Sequence, residues 1–598
     1  MMRIKGYHKA ALMAILVISA AAGNGRGVIR PGSSLSSDSL SIPGEIYVIE
    51  SEKLRRLNID TFDDILQIAA GVSCWREGAP GSRTGFSVAG RRAVLLVNGR
   101  LTENIYTSEP LVKFVDLGRL RRVEVVYDGA FSLTGELGTG AAVNLVVEQG
   151  GREPPFTQAD FTYGGSNRRA RRIWFSTPRS YISAAVSYNE YLQDAIESRE
   201  FGQNKLIGND HMKSVSFDIS MGGEQEALIH FTRFEDTYNG TACNPFEDIR
   251  SSGFDSWIEF SSWGLRSSIR HRGMDRERTS GKMSGLATSV DLQFDRRMGA
   301  LDMRAFLKGS NYLLENRYSG VSSDPQLDNY YGGITGQVRP GGSYPMKGSV
   351  FMGRSSEAGD YLGWEAGAAR LGRNGSYQRI SLSRKPVIPS AAQLFHPVSA
   401  VSGLECYDIT ASGSPGLIPE ITEEAALENR FSFGLTLNLF YRRIDERIEV
   451  DGPGGSFANT GDYDETSGIR ASFREDISWR RFTLELEGGG EYFFETEGLE
   501  SGVPEYRAVG NLYLSFPLFK ETERMTLHLN SIAFGERNWD DDLSGRAAVH
   551  NFSLSMTLMS AVVRFQYKNF MDARYQTVPG FYMSDRHFRI GILWNLPD

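Results

Sequence analysis

From Phe156 to the C-terminus the chain alternates apolar and polar residues at a period of two, in segment after segment. Beyond the N-terminal leader no run reaches the roughly 18 apolar residues of a spanning helix. A period of two sends successive side chains to opposite faces of a β-strand. Leu435, Leu437, Leu439 and Tyr441 share one face, with Thr436, Asn438 and Arg442 behind them. Phe482, Leu484 and Leu486 oppose Thr483, Glu485 and Glu487. Phe552, Leu554, Met556 and Leu558 oppose Ser553, Ser555 and Thr557, and Val563, Phe565 and Tyr567 oppose Arg564 and Gln566. The last such segment sets Phe588, Ile590, Ile592 and Trp594 against Arg589 and Gly591. Stacked soluble sandwiches would also alternate, but they require linkers or repeats, and the region has neither. A closed barrel in a bilayer fits better, because in lipid only helices and closed barrels satisfy their own backbone. A charge on a lipid-facing strand position costs about 2–4 kcal/mol at the midplane. Glu485, Glu487, Arg564 and Arg589 all lie opposite the apolar face, so that face is expected to meet lipid. The composition then makes sense: 65 Gly, 11% aromatics and a mean hydropathy of −0.31 describe a chain in which only alternate residues touch the membrane.

Several function classes drop out. A net charge of −8 and a pI near 5.7 offer no basic excess for nucleic acid. Three Cys and eight His lack metal-ligand spacing, and no metal or cofactor is expected. No Ser/His/Asp set, Walker loop, HExxH or CxxC occurs, and Gly85-Phe86-Ser87-Val88-Ala89 lacks the final glycine of a nucleophile elbow. The chain is therefore not expected to be an enzyme. Asp462-Tyr463-Asp464-Glu465 and Asp540-Asp541-Asp542 are acidic clusters that read as surface charge, with Ca²⁺ ligation as the alternative. Cys243 and Cys406 fall in loops, with a bridge between them left open.

The N-terminus supplies the compartment. Met1-Met2-Arg3-Ile4-Lys5 and Lys9 form a basic region, and Ala10 to Ala22 is apolar and ends in small residues. This reads as a signal peptide over 1–22, cleaved near Ala21 or Ala22. Residues 23–44 are rich in Ser and Gly and read as a flexible tail. Residues 45–151 form an α/β unit, and 152–598 form the barrel. In the α/β unit, Ile46 to Ile49 is a short strand, and Ser51 can cap a helix. Thr61-Phe62-Asp63-Asp64 has the form of a capping box before Phe62, Ile65, Leu66 and Ala69 at helical spacing, with Gly71 as the stop. Val94 to Val97 runs into Asn98-Gly99, a strong hairpin signal. Val123 to Val126 and Val143 to Val147 complete it. About 445 residues follow Gly151, which at 9–11 residues per crossing accommodates about 22 strands with short connections. A lumen that wide must be filled, and the α/β unit is the obvious filler.

In motif order the chain resembles the TonB-dependent outer-membrane receptors, in which an N-terminal plug sits inside a 22-stranded antiparallel barrel. The resemblance rests on Ile46 to Ile49, the Thr61 to Gly71 helix with Val72-Ser73, Val94 to Arg100, Arg122 to Val126 and Gly138 to Val146. In the barrel it continues through Ser414 to Glu420, the strand ending Phe440 to Ile444, and Lys568 to Asp572 with Tyr575. Its compactness is nearest the cobalamin- and siderophore-type members. There are departures. Ala89 stands before Gly90 where the family has arginine, and Tyr127-Asp128-Gly129 replaces an Arg-Gly-Pro turn. Thr134-Gly135 and Thr139-Gly140-Ala141 also differ. A plug lacking those arginines must be anchored differently, with Arg91, Arg92 and Tyr127 as the nearest replacements.

The resemblance implies energised import of a scarce chelate across the outer membrane by a monomer. The implied partners are the TonB-ExbB-ExbD complex, outer-membrane lipid and the barrel assembly machinery. The coupling segment would pair by strand addition, and Asp38-Ser39-Leu40-Ser41-Ile42 is the best candidate. The tail is too short for an added signalling domain. Ligand contacts are expected on two apical plug loops, from Trp75, Arg76, Arg83, Asn104 and Tyr106. Phe588, Ile590, Ile592 and Trp594 would form the assembly signal, with Trp594 standing in for a terminal Phe. The competing reading is a barrel with a diverged plug that serves as a diffusion channel, adhesin or structural component.

Overall fold

The computed structural model describes most of residues 35–597; outside it lie 1–34, 37–39, 58–60, 77–83, 149–155, 199–204, 240–247, 396–412, 451–455 and a number of shorter breaks. Among the described residues no helix is long and apolar enough to cross a membrane. The chain crosses with strands instead. Twenty-three strand segments close into one antiparallel barrel, and two of them, Val321–Ser323 and Gln326–Val338, form a single crossing beside Leu301–Tyr318, which leaves 22 strands. Closure pairs the last strand, His587–Pro597, with the first, Phe156–Gly164, through Ile592↔Phe161 and Trp594↔Ala159. No edge remains to be satisfied in lipid.

The alternation decides which face looks outward. Along Leu435–Asp445, Leu439 and Tyr441 are exposed, whereas Asn438, Phe440 and Arg442 are buried toward the lumen. In the closing strand Phe588, Ile590, Ile592 and Trp594 are all exposed while Arg589 and Leu593 are buried. The barrel is thus inverted relative to a soluble core, with apolar side chains outside and buried Arg304, Lys385 and Arg442 inside. Strand connections at one end are short, such as 299–300, 372–376, 480–481 and 559–560. Those at the other end range from two residues at 279–280 to the 388–419 connection and include all of the longest. Short turns mark the periplasmic end and long loops the extracellular one.

Inside the barrel sits a mixed sheet of five strands in the order β1-β7-β8-β5-β6, formed by β1 (Ile46–Glu50), β5 (Val94–Val97), β6 (Arg100–Leu101), β7 (Leu120–Val126) and β8 (Ala142–Val147). Only β5 and β8 run parallel. A second sheet of three strands comprises β2 (Val72–Arg76), β3 (Thr84–Val88) and β4 (Arg91–Arg92). Asn98 and Gly99 both adopt positive φ, 51° and 78°, as the two-residue hairpin between β5 and β6 requires. The helix Phe62–Leu66 begins at the Thr61–Asp64 capping box, whose Asp64 carboxylate accepts from Thr61 N at 3.2 Å. It is shorter than its spacing suggests, and Gly71 (φ 67°) turns the chain after an irregular stretch rather than at the helix end. Ser51 opens the helix Ser51–Arg56 as its first residue and does not cap it; Glu50 occupies that position. The core of this unit packs Phe62, Ile65, Leu66 and Phe86 against Val123, Val125, Val143 and Leu145. Phe62 and Phe86 meet edge to face at 5.4 Å.

Candidate functional site

The functional question is how the inner unit is held and what its two ends present. Two kinds of contact recur between it and the wall, beside plug cations such as Arg91 and Lys53 on wall carboxylates. In the first, barrel cations meet plug acids. Lys385 Nζ lies 2.8 Å from Asp128 of the plug and 3.3 Å from Glu365 of the neighbouring barrel strand. Lys347 pairs with Glu45, and Lys308 reaches Glu136 at 2.5 Å. Asp64, the capping residue, receives both Lys568 and, at 2.9 Å, Arg589. Arg119 runs the other way, from the plug to Asp218 of the wall at 2.5 Å. The second kind is a barrel side chain donating to a main-chain carbonyl of the plug. Arg507 donates to Ala69 O at 2.8 Å and Gln67 O at 3.0 Å, and Asn511 to Ile68 O at 3.2 Å. Arg442 donates to Ala89 O at 2.9 Å, Arg272 to Glu103 O at 3.2 Å, and Arg304 to Leu133 O.

These contacts explain the sequence departures. Ala89 has no guanidinium to offer, but its carbonyl receives Arg442 from the wall, and Arg91 two residues on pairs with Glu424. Arg442 shares that same carboxylate at 3.1 Å. At the Tyr127-Asp128-Gly129 turn, where an arginine is missing, the acid Asp128 is on the plug and its base Lys385 on the barrel. Tyr127 donates to Ala70 O at 2.8 Å, and the Arg470 guanidinium stacks 3.6 Å over its ring. Arg92 donates to Ser108 O of the plug at 3.0 Å. Gly140, at a φ of 84°, is required twice over, since a Cβ there would also overlap the Lys385 ammonium.

Electrostatics separate the plug acids. Burial pushes the Asp128 carboxyl up, but Lys385, with Arg91 and Arg379 beyond it, outweighs burial and holds it well below the usual carboxylate range. Glu45 shows the opposite balance: desolvation outweighs Lys347, and its carboxyl is raised. The Tyr127 phenol is pushed up to about 12 by burial despite Arg470.

At the extracellular end, Trp75 is half-buried in an apolar cluster with Phe440, Phe493, Leu499 and Val503. Gly85 makes the room, since a Cβ there would come 2.4 Å from the indole. Asn104 is buried, and its carbonyl accepts from Ser108 N at 2.9 Å. The backbone of Arg76 ends β2, while its side chain, Arg83 and Tyr106 lie outside the described residues. Ile105, next to Asn104, joins an apolar cluster with Leu314 and Leu327 of the wall. The same cluster includes Ala391, Ala392 and Leu394 of the short helix Ala391–Phe395, together with Leu417, so the described ends of the 388–419 connection pack against the plug at Ile105. Nothing in the periodicity pointed to that helix. Among the described residues no His/Cys/Asp/Glu group has metal-site geometry. Asp464 pairs with Arg447 at 2.7 Å and Glu465 accepts from Tyr441 at 2.5 Å. The side chains of 540–542, together with Cys243 and Cys406, lie outside the described residues.

At the periplasmic end, the Ser- and Gly-rich composition suggests a flexible tail, yet Leu35, Leu40 and Ile42 are each no more than 3% exposed. Leu35 and Leu40 pack among Leu96, Val126, Ala130 and Leu133. Glu124 accepts from Leu35 N at 2.8 Å and Ser36 Oγ at 2.7 Å. Asp38 and Ser39 lie outside the described residues.

Residues 38–142 match the family model described as the TonB-dependent Receptor Plug Domain. No curated protein sequence matches the chain. Solved structures are similar in fold. The siderophore receptor PirA of Acinetobacter baumannii superposes with a TM-score of 0.73 at 11% identity, covering 92% of this chain and 98% of that one. A mutant of the ferric enterobactin receptor PfeA of Pseudomonas aeruginosa gives 0.74 at 12% identity, covering 92% and 98%. The FrpB iron transporter of Neisseria meningitidis gives 0.74 at 10%, covering 92% and 99%. At such identities the likeness establishes the fold.

Proposed function

We propose that this outer-membrane protein, which has the plug and closed 22-stranded barrel of the TonB-dependent receptors, binds a small ferric siderophore or similar chelate at its outer mouth and imports it by coupling to the inner-membrane TonB-ExbB-ExbD complex. The observation that carries the reading is the wall-anchored plug in the lumen. Among the described residues, the spaces between plug and wall include one of about 40 Å³ beside Asp160 and Trp174, one of about 30 Å³ beside Asp218 and Trp257, and a larger one of about 280 Å³ at the periplasmic end beside Ile42 and Arg339. The first two have room for a few waters and none for a chelate. In this reading the anchored plug gives way for passage, and an energy source breaks its contacts. The solved structures of the same fold include proteins named as siderophore receptors and an iron transporter, which supports the ligand class.

In this reading residues 38–42 are the coupling segment. Because Leu40 and Ile42 are buried, the segment must leave its site before it can add as a strand to a partner. Trp75, Arg76, Arg83, Asn104 and Tyr106 mark the ligand-facing end, with half-buried Trp75 and buried Asn104 as supports of the two loops. Phe588, Ile590, Ile592 and Trp594 form the outward face presented to the assembly machinery. The protein acts as a monomer, with residues 45–151 as plug and 152–598 as barrel.

The test is growth of a receptor-deficient host on a panel of ferric siderophores and on cobalamin as sole sources. It compares the full chain with a chain lacking residues 38–42. Growth on one chelate that disappears with the deletion is the expected result. Uptake that survives the deletion would sink coupling through this segment and favour a non-energised barrel.

A further inference from the structure

The periplasmic rim carries a charge asymmetry that the transport reading does not use. Ten neighbouring strands, from Gly281–Met298 through Phe482–Glu495, are joined at this end by five consecutive short turns. Each turn, or the strand end beside it, exposes arginine: Arg296, then Arg339, Arg373, Arg430, and Arg480 with Arg481. The turns 338–346, 371–377 and 430–435 contain no acid at all. Of the acids near the other two, Asp295 is paired with Arg304 at 2.6 Å, Asp302 with Arg297 at 3.5 Å and Asp476 with Arg474 at 3.6 Å, and Glu475 is exposed. The opposite rim is built differently. Among the described residues, the outward charges there include matched pairs: Arg233–Glu235 at 2.8 Å, Arg317–Asp324 at 2.6 Å and Arg384–Glu423 at 3.6 Å.

The arginines are interleaved with large apolar side chains. Met298, Tyr344, Phe433 and Trp479 are 45%, 50%, 57% and 63% exposed. The Arg480 guanidinium lies 5.3 Å from the Trp479 ring centre, and Trp479 stacks on Phe482 at 6.2 Å. Aromatic rings at the end of a lipid-facing strand sit at headgroup level. A guanidinium held beside them is at the depth of a lipid phosphate, and its fork matches two phosphate oxygens.

We propose that this arc of five turns is a binding surface for anionic phospholipid of the periplasmic leaflet, with the arginines taking phosphodiesters and the aromatic residues taking the acyl–headgroup boundary. The arc spans about half of the barrel circumference, so bound anionic lipid gathers on one side of the protein. This surface lies away from the mouth and is independent of what the receptor carries; only at Arg339, Pro345 and Leu371 does it border the N-terminal segment, across a space shared with Ser36, Ser41 and Ile42.

The test uses the full chain in nanodiscs of phosphatidylcholine with or without phosphatidylglycerol, and native mass spectrometry of the lipids retained after release. The variant R296Q/R373Q/R430Q/R481Q is compared with a control at the other rim, R233Q/R317Q/R354Q/R384Q. Heat-modified gel mobility confirms that both barrels are folded. The expected result is selective retention of phosphatidylglycerol by wild type and control, and at least a tenfold loss in the arc variant. That expectation starts from the roughly fivefold that one basic side chain contributes near an anionic surface. Retention should also fall as salt rises. Equal retention of the two lipids by wild type, or equal loss in both variants, would overturn the proposal. So would unchanged lipid retention in an arc variant that no longer binds the purified periplasmic domain of TonB, since the arc would then be a protein-docking surface.

Discussion

Replacing Lys385 by Met keeps the length of the side chain and removes its charge. Lys385 is 1% exposed and holds Asp128 at 2.8 Å and Glu365 at 3.3 Å. In the variant those two carboxylates face each other across a dry interface. Glu365 retains Ser132 N at 3.2 Å, and Asp128 retains Gly129 N at 2.8 Å. Removing one partner of a buried ion pair costs about 3–5 kcal/mol. At 1.4 kcal/mol per decade this is roughly a 150- to 4000-fold shift toward local opening of the Asp128–Thr134 segment. Hydrogen exchange of the purified protein in detergent reads that opening directly. The relevant amides include Leu133, which donates to Gly129 O at 3.2 Å, and Gly135, which donates to Phe131 O at 2.6 Å. Adding Asp128→Asn should restore part of the protection, because only Glu365 then remains without its cation. The pH dependence has a defined sign. In the wild type Asp128 has a folded pKa below its unfolded value. Its contribution is therefore complete above the ordinary carboxylate range near 4 and is lost as pH falls toward the depressed value. In Lys385→Met that dependence should vanish or reverse, with protection improving as pH falls and the carboxylates take up protons. Protection in the variant within about threefold of wild type at neutral pH would refute the reasoning. So would a double variant no better than the single.

Three further outcomes follow from the packing. Leu40→Ala removes a side chain that is 1% exposed and should loosen the N-terminal segment by about 2–5 kcal/mol, seen as faster limited proteolysis near residues 35–45 with the barrel intact. Gly99→Ala meets no clash beyond Leu35 at 4.0 Å, so its cost should be the left-handed backbone alone, about 1–2 kcal/mol, detectable as faster exchange in the Val94–Leu101 hairpin. Leu439→Arg places a charge on the lipid face near the middle of its strand and should cost about 2–4 kcal/mol, read as a lower unfolding midpoint in denaturant titration of the reconstituted barrel; no shift would mean that the face is not in lipid.

The parts of the fold set by local rules were legible. The alternation around Leu439 and Ile590 assigned each face correctly because lipid and lumen impose opposite polarities on adjacent residues. Thr61 to Asp64 and Asn98-Gly99 act over four residues or fewer, and both formed. Anchoring was not legible. Lys385 and Asp128 are 257 positions apart, and Arg507 and Ala69 are 438 apart. No periodicity or spacing links such residues, because register around a 22-strand circumference determines which of them meet. The absence of arginine at Ala89 could be seen, but its remedy could not, since the group that answers it is a carbonyl common to every residue. The same holds at the mouth. Trp75 suggests a ligand-facing ring by its chemistry, whereas Phe493, Leu499 and Gly85, which bury it, are distant in sequence or carry no side chain.

The grip of barrel side chains on plug carbonyls has a consequence for how such a chain can change over time. At Gln67, Ile68, Ala69, Ala89, Glu103 and Leu133 the wall reads an oxygen that all twenty amino acids supply. Mutation can rewrite those side chains without unfastening the inner unit, so long as the backbone path is kept. Asp64, Asp128 and Arg91 have no such freedom, because their fastening is written in the side chain itself. Drift should therefore concentrate at the carbonyl-held positions, and exchange at the charged ones should require a matching exchange in the wall.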